Sequence, residues 1–286
     1  MKFKKVATVL LSCLMAGALF TGCGGGDKPA SDKPAETQLG MLTHLNSTEQ
    51  KLGELYNAAA DKAGLKGARY NPKFYDSLRA MQMGVESGEV SEVSIYKCVA
   101  DYIIANNDKF EIVKDDALGK LKDSFCFAVR KDDAALKADL DKIIGEMKSD
   151  GTLDKLINDY ITNVDKGQAP PAVEIPTIEG AQSIKVGVTG DLPPLDLITA
   201  DNTPAGFNTA LLAEIAKRLG RNVEFVQIES GARSAALSSN QIDVVFWTVV
   251  PISNDLPADL DTPESVEVST PYFEDGVAHV KLKADK

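Results

Sequence analysis

Histidine and cysteine are scarce in this chain of 286 residues, with two and four residues respectively, and there is a single tryptophan. No pair of these histidines and cysteines has the spacing of a metal-binding motif, so no metal site is predicted. The sequence also lacks a Ser-His-Asp pattern and a glycine-rich phosphate loop, so neither catalytic residues nor a cofactor are predicted. With a formal net charge of −11, the chain is unsuited to coating a nucleic acid.

No hydrophobic run is long enough to span a membrane. The apolar run near the N-terminus, residues 6–19, follows three lysines and is too short to span a bilayer with margin, so residues 1–22 are predicted to be a secretory signal peptide. Residues 20–23 read FTGC, which resembles a bacterial lipoprotein box and implies that Cys23 carries a lipid anchoring the chain outside the cytoplasm. An ordinary signal peptide with a chance cysteine is the alternative. Residues 23–38 are too polar to bury and are predicted to be a flexible tether.

Two cysteines remain inside the predicted mature chain, Cys98 and Cys126. In an oxidising compartment they could form a disulfide if their geometry allows it. Both lie in apolar, strand-like surroundings, which favours two buried free thiols instead.

The most informative stretch of the sequence is residues 183–226. Its first run, 184–188, is alternating and β-branched, and the sequence DLPP at 191–194 then forms a rigid loop that cannot continue a strand. Apolar residues next recur at helical spacing: Leu211, Leu212, Ile215 and Leu219. Gly220 ends this helix, and a second strand follows at 223–228. A strand, a helix and a strand in this order predict a parallel sheet.

Five segments of this C-terminal region resemble the first lobe of the periplasmic solute-binding proteins of family 3: VGVTGDLPPLD, AGFNTALLAEIAKRLG, VEFV, NQIDVVFW and STPYFEDGVAHV. The resemblance implies an α/β fold of type II, in which two lobes close on a ligand about a hinge. It also implies a non-enzymatic protein that captures polar amino acids or similar solutes and delivers them to the transmembrane permease of an ABC importer.

The order of the lobes is unusual for that family. Residues 39–132 resemble lobe two, 133–163 resemble the closing helices that pack on lobe one, and 183–286 resemble lobe one, with a proline-rich linker at 164–182. We interpret this order as a circular permutation of a monomer, since the termini of domains often lie close together. The alternative is a broken tandem repeat whose halves pair between molecules.

Lobe two also carries local signals for its helices and for the hinge. Ser47, with Gln50 three residues later, forms a capping-box pattern that predicts the start of a helix. A second helix is predicted over residues 74–87, and the chain is predicted to cross between the lobes at residues 128–131. The apolar residues of that second helix predicted to face the core are Leu78, Met81 and Val85.

Ligands of open parallel sheets bind beyond the carboxyl ends of the strands, so the candidate binding residues are those that follow each predicted strand. In lobe two these are His44, Asn46, Ser47, Thr48, Asn71, Tyr96 and Lys97. In lobe one they are Asp191, Ser230, Arg233, Trp247 and Thr248. Trp247 could stack on a ligand or fill the core, and Asp191 could bind a cationic group or serve as an ordinary turn residue.

Two charged residues usual in amino-acid binders of this family are missing from their expected places. No arginine follows the strand that ends at Trp247, and Tyr96 stands where an aspartate for the α-ammonium group is usual. Arg233 or Lys97 could replace the arginine as the partner of a carboxylate. We therefore expect a small polar solute, of the amino acid or derivative class, but not a standard α-amino acid held in the usual way.

Two other functions stay open on the same fold. One is a sensor or adhesion-type surface protein that binds a ligand without transport. The other is a lyase or dehydratase in which His44, Lys97 and Asp191 would do acid or base chemistry, although no catalytic pattern supports it.

Overall fold

A computed structural model describes residues 36–62, 69–114, 121–252 and 261–284 of the chain. The predicted signal peptide, the predicted lipidation site Cys23 and the tether up to residue 35 lie outside these ranges. Residues 36–38, predicted as the end of the tether, instead begin the first strand. No helix of the described ranges is long and apolar enough to cross a membrane.

Strands and helices alternate through most of the described residues. The strands are β1 (Glu36–Leu42), β2 (Arg69–Tyr75), β3 (Glu92–Tyr96), β4 (Phe110–Ile112), β5 (Lys122–Arg130), β6 (Ser183–Val188), β7 (Asp191–Leu192), β8 (Asp196–Ile198), β9 (Pro204–Ala205), β10 (Asn222–Gln227), β11 (Val244–Ile252), β12 (Val266–Val268) and β13 (Phe273–Leu282). The helices are α1 (Glu49–Lys62), α2 (Leu78–Glu86), α3 (Lys97–Asn106), α4 (Ala134–Ser149), α5 (Thr152–Ile157), α6 (Phe207–Leu219) and α7 (Arg233–Ser238). A π-helical turn (Asn158–Thr162) follows α5, and a 3₁₀ turn (Ser230–Ala232) precedes α7.

One mixed sheet runs through both halves of the molecule in the order β10-β6-β11-β5-β13-β3-β1-β2, with β12 and β4 attached at its sides. Strands β10, β6 and β11 are parallel, and so are β3, β1 and β2. The antiparallel strands β5 and β13 join these two parallel groups. The fold is therefore α/β with two lobes, each built on its own parallel strands.

The chain crosses between the lobes earlier than the sequence predicted. Strands β5 and β13 pair from Phe125 with Phe273 to Lys122 with Gly276, between the two parallel groups. The predicted crossing at residues 128–131 lies within lobe one instead, because Val129 already pairs with Val244 of β11.

Lobe one contains the βαβ unit that the sequence predicts, with β6, α6 and β10 in that order. Gly220 has φ +66°, the left-handed conformation that ends a helix and that glycine adopts without steric cost. The segment at 191–194 departs from the prediction, because Asp191 and Leu192 form β7 of a small three-stranded sheet with β8 and β9.

The closing helices pack on lobe one and share its core. The apolar stripe of α4 is buried: Leu136, Leu140, Ile143, Ile144 and Met147. Arg218 of α6 contacts the closing helices directly, since its guanidinium donates to the Thr152 hydroxyl at 3.0 Å and lies 2.8 Å from the Asp150 carboxylate. One continuous hydrophobic core includes residues of both lobes and of α4.

Two helix starts in lobe two differ from the prediction. Helix α1 is capped by Thr48, whose hydroxyl accepts from the Lys51 amide at 3.2 Å, and not by Ser47. Helix α2 begins at Leu78 instead of residue 74, with Ser77 as its N-cap, because pairing with β1 extends β2 as far as Tyr75.

Candidate functional site

The carboxyl ends of the parallel strands of the two lobes face each other, and several hydrogen bonds join them. Asn46, which follows β1, donates from Nδ2 to the Val249 carbonyl of β11 at 2.9 Å. Arg233 at the start of α7 donates from Nη2 to the Thr43 carbonyl at 2.6 Å. The interface between the lobes is therefore the place where residues predicted from both lobes come together.

Arg233 is the main buried charge at this interface, with only 1 % of its surface exposed. Its Nε donates to the Ser230 carbonyl at 3.0 Å, and its guanidinium carbon lies 4.1 Å from the centre of the Trp247 ring. Its Nη1 has no hydrogen-bond partner, and no carboxylate of the described residues forms an ion pair with it. Burial lowers the pKa of Arg233 to about 10, so the group stays charged at neutral pH.

Trp247 lies beneath Arg233 in an unusual backbone conformation. Its φ is +44°, a region in which side chains other than glycine cost about 1–3 kcal/mol and that is enriched at functional sites. The register of β11 against β5 shifts between Val245 and Thr248, so the unusual conformation of Trp247 lies at an irregularity inside the strand. The indole is 2 % exposed and meets the Tyr96 ring edge-on at 6.0 Å, while its Nε1 has no hydrogen-bond partner. Trp247 thus belongs to both the core and the lobe interface.

Two aspartates form a reciprocal contact between the lobes, which we call the interlobe clasp. Asp191 of lobe one accepts from the Leu78 amide, at the N-terminus of α2 in lobe two, at 2.8 Å. Asp76 of lobe two accepts from the Gly231 amide of lobe one at 3.0 Å. A Cβ at residue 231 would lie 2.6 Å from the Asp76 carboxylate, so glycine allows this approach. Burial raises the pKa of Asp191, and the helix amide partly offsets that effect.

We expect Asp191→Ala to shift the protein without ligand towards a more open form, because hydrogen bonds to a charged acceptor contribute about 1.5–3 kcal/mol. Small-angle X-ray scattering should show a larger radius of gyration than for the unmodified chain. Gly231→Ala should also favour the open form, because the added methyl group would push against the Asp76 carboxylate. Asp159→Ala is the control, since among the described residues its carboxylate pairs only with Lys155, on an exposed helix face. An unchanged radius of gyration in Asp191→Ala and Gly231→Ala would contradict the clasp.

Other predicted residues also lie at the interface. Asn46 is 1 % exposed, and its carbonyl oxygen on the main chain accepts from the Asp261 amide at 2.8 Å, while its Oδ1 is unpartnered. Ser47 is buried. The hydroxyls of Ser230 and Thr248 are buried without a hydrogen-bond partner.

Three predicted residues are not brought to this interface. Lys97 is exposed as the first residue of α3 and pairs with Asp101 on its own helix. Thr48 is exposed and caps α1. Asn71 is exposed in the middle of β2, where its amide donates to Gln38, because β2 runs four residues past it.

His44 lines the same small cavity as Asp123, a carboxylate that the strand-end rule did not select. Burial and the nearby charge of Arg233 lower the pKa of His44 to about 4, so its imidazole is neutral. Asp123 lies at the start of the crossing strand β5, and burial and the facing Asp275 raise its pKa to about 7. The rule considers only the ends of parallel strands, whereas Asp123 stands on an antiparallel one.

Metal chemistry has no candidate site in the described ranges, where no three histidine, cysteine, aspartate or glutamate side chains form a cluster able to hold an ion. Cys98 and Cys126 are both free and buried. Cys98 lies in helix α3, not in the strand-like surroundings that the sequence suggested.

Residues 184–285 match the family model of the bacterial extracellular solute-binding proteins, family 3. The resemblance found in the sequence is therefore confirmed for the last third of the chain. No curated protein sequence matches the chain significantly.

The solved structures that match the chain are distant in sequence. The GluR0 ligand-binding core from Nostoc punctiforme in complex with L-glutamate is 11 % identical, with 86 % of this chain and 85 % of that chain covered and a TM-score of 0.37. An ancestral arginine-binding protein bound to arginine is 14 % identical, with 87 % and 85 % covered and a TM-score of 0.38. The OxyR regulatory domain from Pseudomonas aeruginosa is 10 % identical, with 89 % and 92 % covered and a TM-score of 0.40.

Proposed function

We infer, from the membership of residues 184–285 in the bacterial extracellular solute-binding proteins, family 3, that the chain captures a small solute between its two lobes and closes over it. The protein acts by binding, outside the cytoplasm, and not by catalysis. The interface between the strand ends of the two lobes is the proposed site, with Arg233 and Trp247 at its centre.

The observation that carries this proposal is a set of buried polar atoms without hydrogen-bond partners at the lobe interface: Arg233 Nη1, Ser230 Oγ, Asn46 Oδ1, Trp247 Nε1 and Thr248 Oγ1. An unpaired buried polar group costs about 1–3 kcal/mol, so folded proteins leave few of them. These five are the larger part of the nine such atoms in the described residues, and their grouping on both sides of one interface supports a site that binds a polar ligand.

The solute should carry an anionic group that binds Arg233. A guanidinium with a free Nη1 prefers a planar oxyanion, such as a carboxylate, which can accept two hydrogen bonds. The nearby hydroxyl of Ser230 is a second donor for the same group. Arg233 would then supply the carboxylate partner that the sequence lacks after Trp247.

We also propose that the protein is anchored by a lipid and delivers its solute to a transporter. The FTGC sequence supports a lipid on Cys23, which would hold the protein at the outer face of the membrane beside the permease of an ABC importer. We propose that the chain is a monomer in which lobe two precedes lobe one by circular permutation. The packing of α4 and α5 on α6 supports this order, since closing helices that precede lobe one in the chain still cover it.

A thermal-shift screen of the secreted chain with Cys23→Ser tests the proposal. We expect one or more members of a panel of amino acids, amines, oligopeptides and organic acids to raise the melting temperature. A ligand at one hundred times its dissociation constant adds about 2.7 kcal/mol, or roughly 5–10 °C for a protein of this size. The absence of a shift across the whole panel would contradict solute capture.

A further inference from the structure

A cavity of about 230 Å³ lies between α3 of lobe two and the end of the closing helices, and we call it the linker cavity. Lobe two contributes Cys98 and Tyr102, which lie one turn apart on α3. Tyr160 and Ile161 come from the π-helical turn, a kind of turn that often occurs at functional sites. Pro194 of lobe one and linker residues between 164 and 171 complete the wall, and none of these residues belongs to the proposed site at Arg233.

The linker wall of this cavity is attached to both lobes. On the side of lobe two, Lys166 donates from Nζ to the Asp101 carboxylate at 2.6 Å, and its carbonyl accepts from the side-chain amide of Asn106 at 3.0 Å. On the side of lobe one, the Pro171 carbonyl accepts from the Gly206 amide at 3.3 Å. The linker cavity is therefore bounded by segments that belong to, or are held by, both lobes.

The charged groups of the cavity wall already have partners within the chain. Lys166 pairs with Asp101. The Asp165 carboxylate accepts from the Gly167 amide at 3.0 Å and from the side-chain amide of Gln168 at 3.2 Å. A charged ligand would lose its hydration here without meeting an unpaired charge of opposite sign, which is unfavourable. The wall therefore favours an uncharged ligand.

Two tyrosine side chains give the cavity its aromatic surface. Tyr102 and Tyr160 are both half-buried. Among the described residues, neither ring contacts another aromatic ring, and neither hydroxyl has a hydrogen-bond partner. Aromatic rings pack well on the face or edge of other rings, and a tyrosine hydroxyl can bind a polar group at the same time. An aromatic molecule with one uncharged polar group has the chemistry that this surface favours.

The volume of the cavity limits the size of such a molecule. An apolar cavity of about 150 Å³ is enough to bind benzene. At about 230 Å³, the linker cavity has room for one aromatic ring with a short side chain.

We propose that the linker cavity binds a small uncharged aromatic molecule, with its ring against Tyr102 and Tyr160 and its polar group at their hydroxyls. This site lies outside the one at Arg233, and the proposal does not depend on which solute binds there. The ligand contacts both lobes at once, so it favours the arrangement in which the lobes lie together.

Three probes of similar size test this site: benzyl alcohol, benzylamine and benzoate, of which the last two are charged at neutral pH. The methyl resonances of Ile161 and Val164, which line the cavity, report binding there in a titration followed by nuclear magnetic resonance. We expect benzyl alcohol to bind at these methyl groups at least tenfold more tightly than either charged probe. Nuclear Overhauser effects from its ring should reach both Ile161 and Tyr102, which lie on the two sides of the cavity.

Substitutions in the wall show whether the probe occupies this cavity. Ala169→Trp fills the cavity from an exposed linker position and should weaken the binding of benzyl alcohol at least tenfold. Ala200→Trp, at an exposed loop position outside the wall, is the matched control and should leave it unchanged. Tyr102→Ala should also weaken binding, whereas Tyr102→Phe, which keeps the ring, should remain within threefold of the unmodified chain. Because both alanines are exposed, the two tryptophan variants should melt like the unmodified chain.

Four results would overturn the proposal. Without saturable shifts of the Ile161 and Val164 methyl groups, the cavity does not bind benzyl alcohol. Equal binding of a charged probe at these methyl groups would show that the uncharged class is wrong. Unchanged binding in both Ala169→Trp and Tyr102→Ala would place the probe elsewhere. Nuclear Overhauser effects to only one side of the cavity would show that the ligand does not bridge the lobes.

Discussion

Arg233→Gln is expected to lower the affinity for the captured solute at least a hundredfold. The guanidinium is buried, charged and held by Ser230 and Thr43, so it is already oriented before the ligand arrives. A hydrogen bond to a charged group contributes about 1.5–3 kcal/mol. A ligand carboxylate that accepts two of them from Arg233 therefore loses at least about 2.7 kcal/mol of binding free energy when the arginine is replaced, which is about a hundredfold in affinity. Calorimetry with the ligand found in the thermal screen measures the change.

Two further variants make this test specific. Arg233→Lys keeps the charge but loses the planar pair of donors, and we expect an intermediate affinity. Arg218→Gln is the matched control. Arg218 is partly buried like many structural arginines, but it pairs with Glu214 of α6 and with Asp150, which precedes α5. An affinity of Arg233→Gln within threefold of the unmodified chain would show that the anion binds elsewhere.

The stability of Arg233→Gln should not fall together with its affinity. Arg233 has no carboxylate partner among the described residues, so its removal does not break an ion pair. The substitution loses hydrogen bonds to the Ser230 and Thr43 carbonyls, about 1.5–3 kcal/mol each, and the relief of an unpaired buried charge offsets part of this loss. A folded, binding-deficient protein is therefore the expected result.

Local patterns in the sequence predict much of lobe one and of the closing helices. The period of the apolar residues predicts α6 and the buried stripe of α4, and Gly220 predicts where α6 ends. These features depend on residues a few positions apart, which a sequence displays directly.

Features that depend on distant pairing are predicted less well. The start of α2 is displaced to Leu78 because β1 holds β2 in extended conformation as far as Tyr75, a contact across more than thirty residues. The lobe crossing is displaced to residues 122–125 because β13, from the other end of the chain, sets the pairing of β5. Neither pairing can be predicted from the residues near α2 or near the crossing.

The candidate site shows the same division. The strand-end rule selects Arg233, Trp247 and Asp191, which the structure brings to the lobe interface. It also selects Lys97, whose side chain turns to Asp101 on its own helix. It does not select Asp123, which lines the same small cavity as His44, because the position of Asp123 depends on the antiparallel pairing of β5 with β13.

Phe127→Ala is expected to lower the free energy of unfolding by about 3–5 kcal/mol, the usual cost of removing a buried phenylalanine. Phe127 is fully buried on β5, and its ring lies 5.0 Å from that of Phe246 and 4.7 Å from that of Tyr272. The melting temperature should fall by roughly 10 °C. Urea unfolding followed by circular dichroism and by Trp247 fluorescence measures the change.

The same experiment tests whether the two lobes unfold together. Phe127 belongs to a hydrophobic core that includes residues of both lobes, so its loss should weaken both, and the two probes should report one transition. Phe225→Ala is the matched control, since Phe225 is only partly buried on the edge strand β10, and we expect a clearly smaller loss. If the probes separate in Phe127→Ala, or if both variants lose equal stability, the core is not shared. The lobes would then be held together by their polar contacts, which are the interlobe clasp and the hydrogen bonds of Asn46 and Arg233.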